Sequence, residues 1–169
     1  MSSRPIVLTC VAVAGLALLT GDGTGVPFPA LEAAMDGLVT QVRLSGGFTV
    51  DPRDGTQPVT GFVAATGRAG ALAEPAVTFF GGRGTSVLRR YLSDHAAELR
   101  MYPSRLLGAY YNRRGQRVVL STVDVIDDRT TAIALGAARR QVTIYDLASR
   151  REIPTGYSAE DPDRRQPRR

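Results

Sequence analysis

The most reactive-looking stretch of the chain is a run of small and polar residues, Gly81, Gly82, Arg83, Gly84, Thr85 and Ser86, placed between an apolar segment and an amphipathic one. Free backbone amides, two hydroxyls and a guanidinium at the opening of a helix are groups that cradle a phosphate or another anion. The run lacks the closing Gly-Lys of a P-loop and the glycine spacing of a dinucleotide fingerprint, so a plain flexible connection is the competing reading. A second group is acidic: Asp124, Asp127 and Asp128 gather at the end of a β-rich run, and Asp146 and Glu152 follow. Sets of carboxylate oxygens suit a hard divalent cation, whereas helix capping accounts for at least one of these residues. The sole imidazole, His95, falls on or beside the apolar stripe of a helix, with Asp94 pointing elsewhere, which fits a core-edge histidine better than a general base. No Gly-x-Ser-x-Gly nucleophile elbow is present. The residues therefore assign no catalytic group, no metal ligand set and no cofactor.

The cations narrow the field further. The chain carries 21 arginines and no lysine, which removes P-loop lysines, Schiff-base lysines and Ser-Lys pairs together. A net charge of +5 and a pI near 10.0 fit an anionic partner. Arg89, Arg90, Arg113, Arg114, Arg139 and Arg140 are the candidate nucleic-acid contacts, with Arg164, Arg165, Arg168 and Arg169 in the tail. Arginine without lysine, among abundant Ala, Gly and Val, is also what GC-rich coding produces, and bulk charge speaks to solubility rather than fold. The single cysteine, Cys10, excludes an internal disulfide.

These groups need a scaffold, and its length of 169 residues fits one domain with extensions. Residues 1–35 read as an apolar N-terminal segment: a basic start, an uncharged run over 5–20, then glycines. It is signal-like, an anchor or an upstream extension. Export or membrane anchoring follows if residues 1–25 act as a signal, and a cytoplasmic location otherwise; any membrane contact would run through residues 5–20. Residues 36–156 form one α+β domain, and residues 157–169 a disordered Arg- and Pro-rich tail. Within the domain, the alternation over residues 38–50 predicts a strand bent at Gly46 and Gly47, followed by a turn to Pro58. A strand is expected over 59–66, a loop over 67–75, a short strand over 76–80, and a helix from Thr85 or Ser86 that Pro103 stops. Its apolar face is Val87, Leu88, Tyr91, Leu92, His95 and Leu99.

The C-terminal half is the better specified. Residues 105–111 and 117–126 predict a hairpin whose Arg114-Gly115 supplies the positive φ of the turn. Asp127 or Asp128 caps a helix to about Arg140, with Arg139 and Arg140 favourably placed at its negative end. Strands over 141–147 and around Glu152-Ile153 complete a small antiparallel or mixed sheet with two helices packed on one face. Residues 118–156 resemble a segment of small uncharacterised proteins of actinobacteria and their phages or mobile elements. The positions carrying that resemblance are Asp128-Arg129, Leu135-Gly136, Gln141, Asp146-Leu147 and the ending from Glu152 to Gly156. It implies no activity. Together these readings describe a small noncatalytic accessory or interaction protein whose partner is another protein, with Tyr110 and Tyr111 as aromatic anchors. Nucleic-acid binding through the arginines is the alternative, and an enzyme built on the 81–86 loop or the acidic cluster the second alternative.

Overall fold

The structure is a computed structural model that describes residues 27–67 and 70–158. The apolar run at 5–20, Cys10 and the tail arginines lie outside them. One turn, α1 (Pro29–Glu32), leads into α2 (Met35–Ser45), which buries Met35, Leu38 and Val42. That i, i+3, i+7 spacing is a helical stripe, and the helix ends where Gly46 takes φ +90° and its N–H reaches the Val42 carbonyl. The strand expected over residues 38–50 is thus a helix, and only β1 (Gly47–Val50) is extended. Strands β2 (Phe62–Ala65) and β3 (Leu72–Pro75) follow, so part of the expected 67–75 loop is strand. The short strand expected over 76–80 is replaced by helical backbone: α3 (Ala76–Thr78) runs into a π-helical turn, Phe79–Arg83, broken at Gly81 and Gly82.

The predicted helix is two, α4 (Gly84–Asp94) and α5 (Ala96–Met101), interrupted at His95, whose φ of −106° and ψ of 9° are not helical. No side chain caps α4, so neither Thr85 nor Ser86 has the expected capping part. The hairpin of β4 (Arg105–Asn112) and β5 (Arg117–Ile126) forms as expected, although the positive φ falls on Gln116 instead of Gly115. Asp128 caps α6 (Arg129–Ala138) by accepting from the Thr131 N–H at 2.8 Å. β6 (Thr143–Asp146) and β7 (Arg151–Pro154) close the order.

Every ladder is antiparallel, in the order β1-β4-β5-β2-β6-β7. β5 is the spine. One of its edges pairs with β4 throughout, and the other takes β3 along Arg117 to Leu120 and β2 along Val123 to Ile126. Past β2 one more backbone bond, Thr66 N–H to the Thr122 carbonyl at 2.9 Å, closes this stretch, and the chain then leaves the ladder opposite Ser121.

Strand alternation then sorts side chains onto two faces. Phe48, Val50, Leu107, Ala109, Val118 and Leu120 meet α2 and α4 in the larger core, where Leu88, Leu99, Leu107 and Leu120 are fully buried. Each such leucine contributes about 1.5–3 kcal/mol relative to exposure. Further along the same face, Ala64, Ile144 and Ala132 of α6 form a smaller core with Phe62, Ile126 and Ile153 around it. The domain is α+β, with an antiparallel sheet and three principal helices, α2, α4 and α6, on one face. Its packed body reaches back before residue 36, since Phe28 and Leu31 belong to the larger core.

Candidate functional site

The helix-free side of the sheet is set by register. On β4 it carries Leu106, Gly108 and Tyr110; on β5, Val119, Ser121, Val123 and Val125; on β2 and β6, Val63 and Tyr145. Among the described residues, no helix packs on this face. Its middle is dense because Gly108 lacks a side chain: a Cβ there would meet the Val123 Cγ1 at 2.6 Å, so Val123 lies across the glycine and is 3% exposed. Tyr110 is half exposed, and Tyr145 is also open to solvent. Burial pushes the Tyr110 phenol above its ordinary range, and the charge of Glu152 on β7 adds to the shift. Tyr111, by contrast, turns to the helix side, where its ring meets Phe80 edge-on at 5.2 Å and its hydroxyl donates to Gln116 Oε1. The structure thus separates the two tyrosines and leaves Tyr110 as the outward one.

The loop expected to bind anions is differently employed. Thr85 donates its hydroxyl to the Asp36 carboxylate, and Ser86 donates to the Arg83 carbonyl at 2.8 Å. An acid therefore stands where an anion would approach, and Gly82 (φ +103°), Arg83 and Gly84 belong to the helical kink between Phe79 and α4. The six candidate arginines do not form one surface. Arg89 is paired with Glu32, whose hydrogen bond and charge raise the guanidinium's pKa. Arg139 pairs with Asp124 at 2.6 Å and donates to the Ala65 carbonyl. Arg140 lies just past α6 at φ +60°, Arg90 is exposed on α4, and Arg113 and Arg114 sit on the β4–β5 turn.

The carboxylates are dispersed as well. Asp124 faces Arg139 and Asp128 caps α6, while Asp146 accepts from the Ala148 and Ser149 amides and the Ser149 hydroxyl. Hydrogen bonds from Thr131 hold the Asp128 carboxyl below its usual pKa, and those from Ser149 do the same for Asp146. Glu152 is exposed on β7 and shares a shallow depression with Arg129, Asp146 and Arg151. Among the described residues, no three His, Cys, Asp or Glu side chains come together to hold a metal ion.

One polar cluster was invisible in the sequence. Around Thr122, opposite the gap between β2 and β3, the Glu98 carboxylate accepts from Arg105 at 2.6 Å and from Thr122 at 3.0 Å. Thr122 also shares a hydrogen bond with Thr66 at 2.6 Å. His95 stacks on Tyr91 with ring centroids 4.1 Å apart and engages the Tyr91 carbonyl through Nδ1. The Tyr91 hydroxyl donates to the Gly70 carbonyl, and burial drives its pKa upward, so it stays a neutral donor. These groups serve each other and the backbone; their chemistry is that of a satisfied polar seam. Next to it the Gln141 amide both accepts from Ala65 N–H (3.0 Å) and donates to Ala65 C=O (2.6 Å), extending the edge of β2 as a further strand would. No signal in the sequence points to a contact across 76 residues.

Among the described residues, no helix is long and apolar enough to cross a membrane. Comparison with protein-family models, curated proteins and solved structures finds no match to this chain.

Proposed function

We propose that this is a small noncatalytic interaction protein that engages another protein through the helix-free face of its sheet, with Tyr110 as the anchor. The observation that carries the reading is the placement of all three principal helices on one face. It leaves Leu106, Tyr110, Val119, Val125 and Val63 together on a face that no described helix covers. Large aromatic side chains in such positions concentrate contact energy, and an apolar surface with a polar rim is the usual make-up of a recognition patch. The groups best suited to chemistry support the same reading from the other direction: His95, Glu98, Asp124 and Arg139 are engaged in internal bonds. The resemblance of residues 118–156 fits an accessory protein of phage or mobile-element type and adds no activity.

A photo-crosslinking residue placed at Tyr110, compared with one at the exposed Arg90 on the helix side, tests this in cells of the native host. A discrete adduct from position 110 only, lost when Leu106→Asp is added, is the expected result. Equal adducts from both positions, or an adduct indifferent to Leu106→Asp, would sink the proposal.

A further inference from the structure

At one end of the molecule the last turn of α2, the Phe79–Arg83 turn and the β4–β5 turn meet. The Arg43 guanidinium lies over the Phe80 ring at 4.9 Å and donates to the Phe80 carbonyl. Phe80 packs edge-on against Tyr111, and the Arg113 guanidinium lies 5.5 Å from the Tyr111 centroid. Arg83 and Arg114 are exposed within three residues of these stacked groups. The ion pairs among the described residues, centred on Arg53, Arg89, Arg105 and Arg139, involve none of these four. The same segments expose two apolar side chains: Leu44, which follows Arg43 in α2, is 74% exposed, and Val77, three residues before Phe80, is 82% exposed.

From this juxtaposition we infer that the end of the domain carrying Arg43, Arg83, Arg113 and Arg114 is a docking surface for an anionic lipid membrane. The surface adjoins Tyr110 at the end of β4 but is built from other residues, and it does not rest on that reading. Guanidiniums offer forked hydrogen bonds to lipid phosphates, and a basic cluster is drawn to a negative leaflet. Exposed Leu44 and Val77 gain nothing from a phosphate backbone, whereas at a headgroup layer they reach the acyl boundary. The aromatic rings also argue against single-stranded nucleic acid, since Phe80 and Tyr111 are half-buried, pack edge-on against each other and each carry an arginine, which leaves little ring for a base to stack on.

Co-sedimentation of the full chain with phosphatidylcholine vesicles, alone or mixed with phosphatidylglycerol, tests the inference. Any insertion by residues 5–20 registers on the neutral vesicles, so the excess binding to the anionic ones is the quantity read. Replacing exposed Arg83 and Arg114 together (Arg83→Ala, Arg114→Ala) should lower that excess about 25-fold, at roughly fivefold per arginine. Leu44→Ser with Val77→Ser should weaken anionic binding about tenfold or more without touching the core. Equal partition onto both vesicle types would overturn the inference, as would arginine variants that bind like the parent. If the Leu44 and Val77 changes have no effect while single-stranded DNA displaces the protein from vesicles, the surface belongs to nucleic acid instead.

Discussion

Gly136 offers a measurable test of how closely α6 sits on the sheet. In an exposed helix interior, glycine to alanine stabilises by about 1 kcal/mol. Gly136 is buried, and a Cβ there would stand 2.6 Å from Ile144 Cγ2 and 2.9 Å from Thr155 Cγ2, well inside the 3.4 Å at which ordinary contact begins. Ile144 is 2% exposed and Thr155 is held by hydrogen bonds to the Gln141 and Val142 carbonyls, so neither can swing aside. Inserting a methyl into such packing costs about 1–3 kcal/mol, which exceeds or cancels the helical gain. Gly136→Ala should therefore lower stability by about 1 kcal/mol in equilibrium urea unfolding. Ile144→Leu removes the branch methyl at nearly constant volume, and in the Gly136→Ala background it should recover about 1 kcal/mol relative to its effect alone. If Gly136→Ala raises the unfolding midpoint, or the two changes are additive, the close-approach argument is wrong.

Two other outcomes follow from hydrogen bonds. Gln141→Ala leaves the Ala65 N–H without its partner at a half-buried strand edge and should cost about 1–3 kcal/mol, read from the same urea transitions; an effect below about 0.5 kcal/mol would contradict the bridging assignment. Asp54, Asp128 and Asp146 have carboxyls held below the usual aspartate range by local hydrogen bonds, so the folded chain keeps these charges to lower pH than the unfolded one. Their stabilisation is complete above about pH 5 and disappears as pH falls through the unfolded and then the lower folded values. Asp128→Asn, which retains a capping oxygen, should flatten the acid limb of stability against pH, and an unchanged limb would refute the assignment.

What the sequence disclosed was local. The β4–β5 hairpin and the Asp128 cap were legible because each depends on neighbouring residues alone. Residues 38–50 misled because Val39, Gln41 and Arg43 alternate with Thr40, Val42 and Leu44, while the helical spacing of Met35, Leu38 and Val42 begins three residues earlier. Residues 76–80 were too few to distinguish a buried strand from a helical turn, and packing of Phe79 in the larger core decided it. The helix-free sheet face could not be read without register: alternation pairs Tyr110 with Leu106 only once β4 is aligned with β5, and nothing in the residue types separates Tyr110 from Tyr111. The stack of Arg43, Phe80, Tyr111 and Arg113 joins three segments up to 70 residues apart in the chain, a distance at which spacing carries no information.

The division of labour along β5 has a dynamic consequence. Its first half supports the larger core and its second half the smaller one, with the polar groups around Thr122 between them. Apolar cohesion is therefore interrupted at the middle of the spine, and α6, β6 and β7 have their own small store of buried surface. The expected outcome is subglobal opening of this unit, read as amides of α6, β6 and β7 exchanging with solvent ahead of those of α2, α4 and β4.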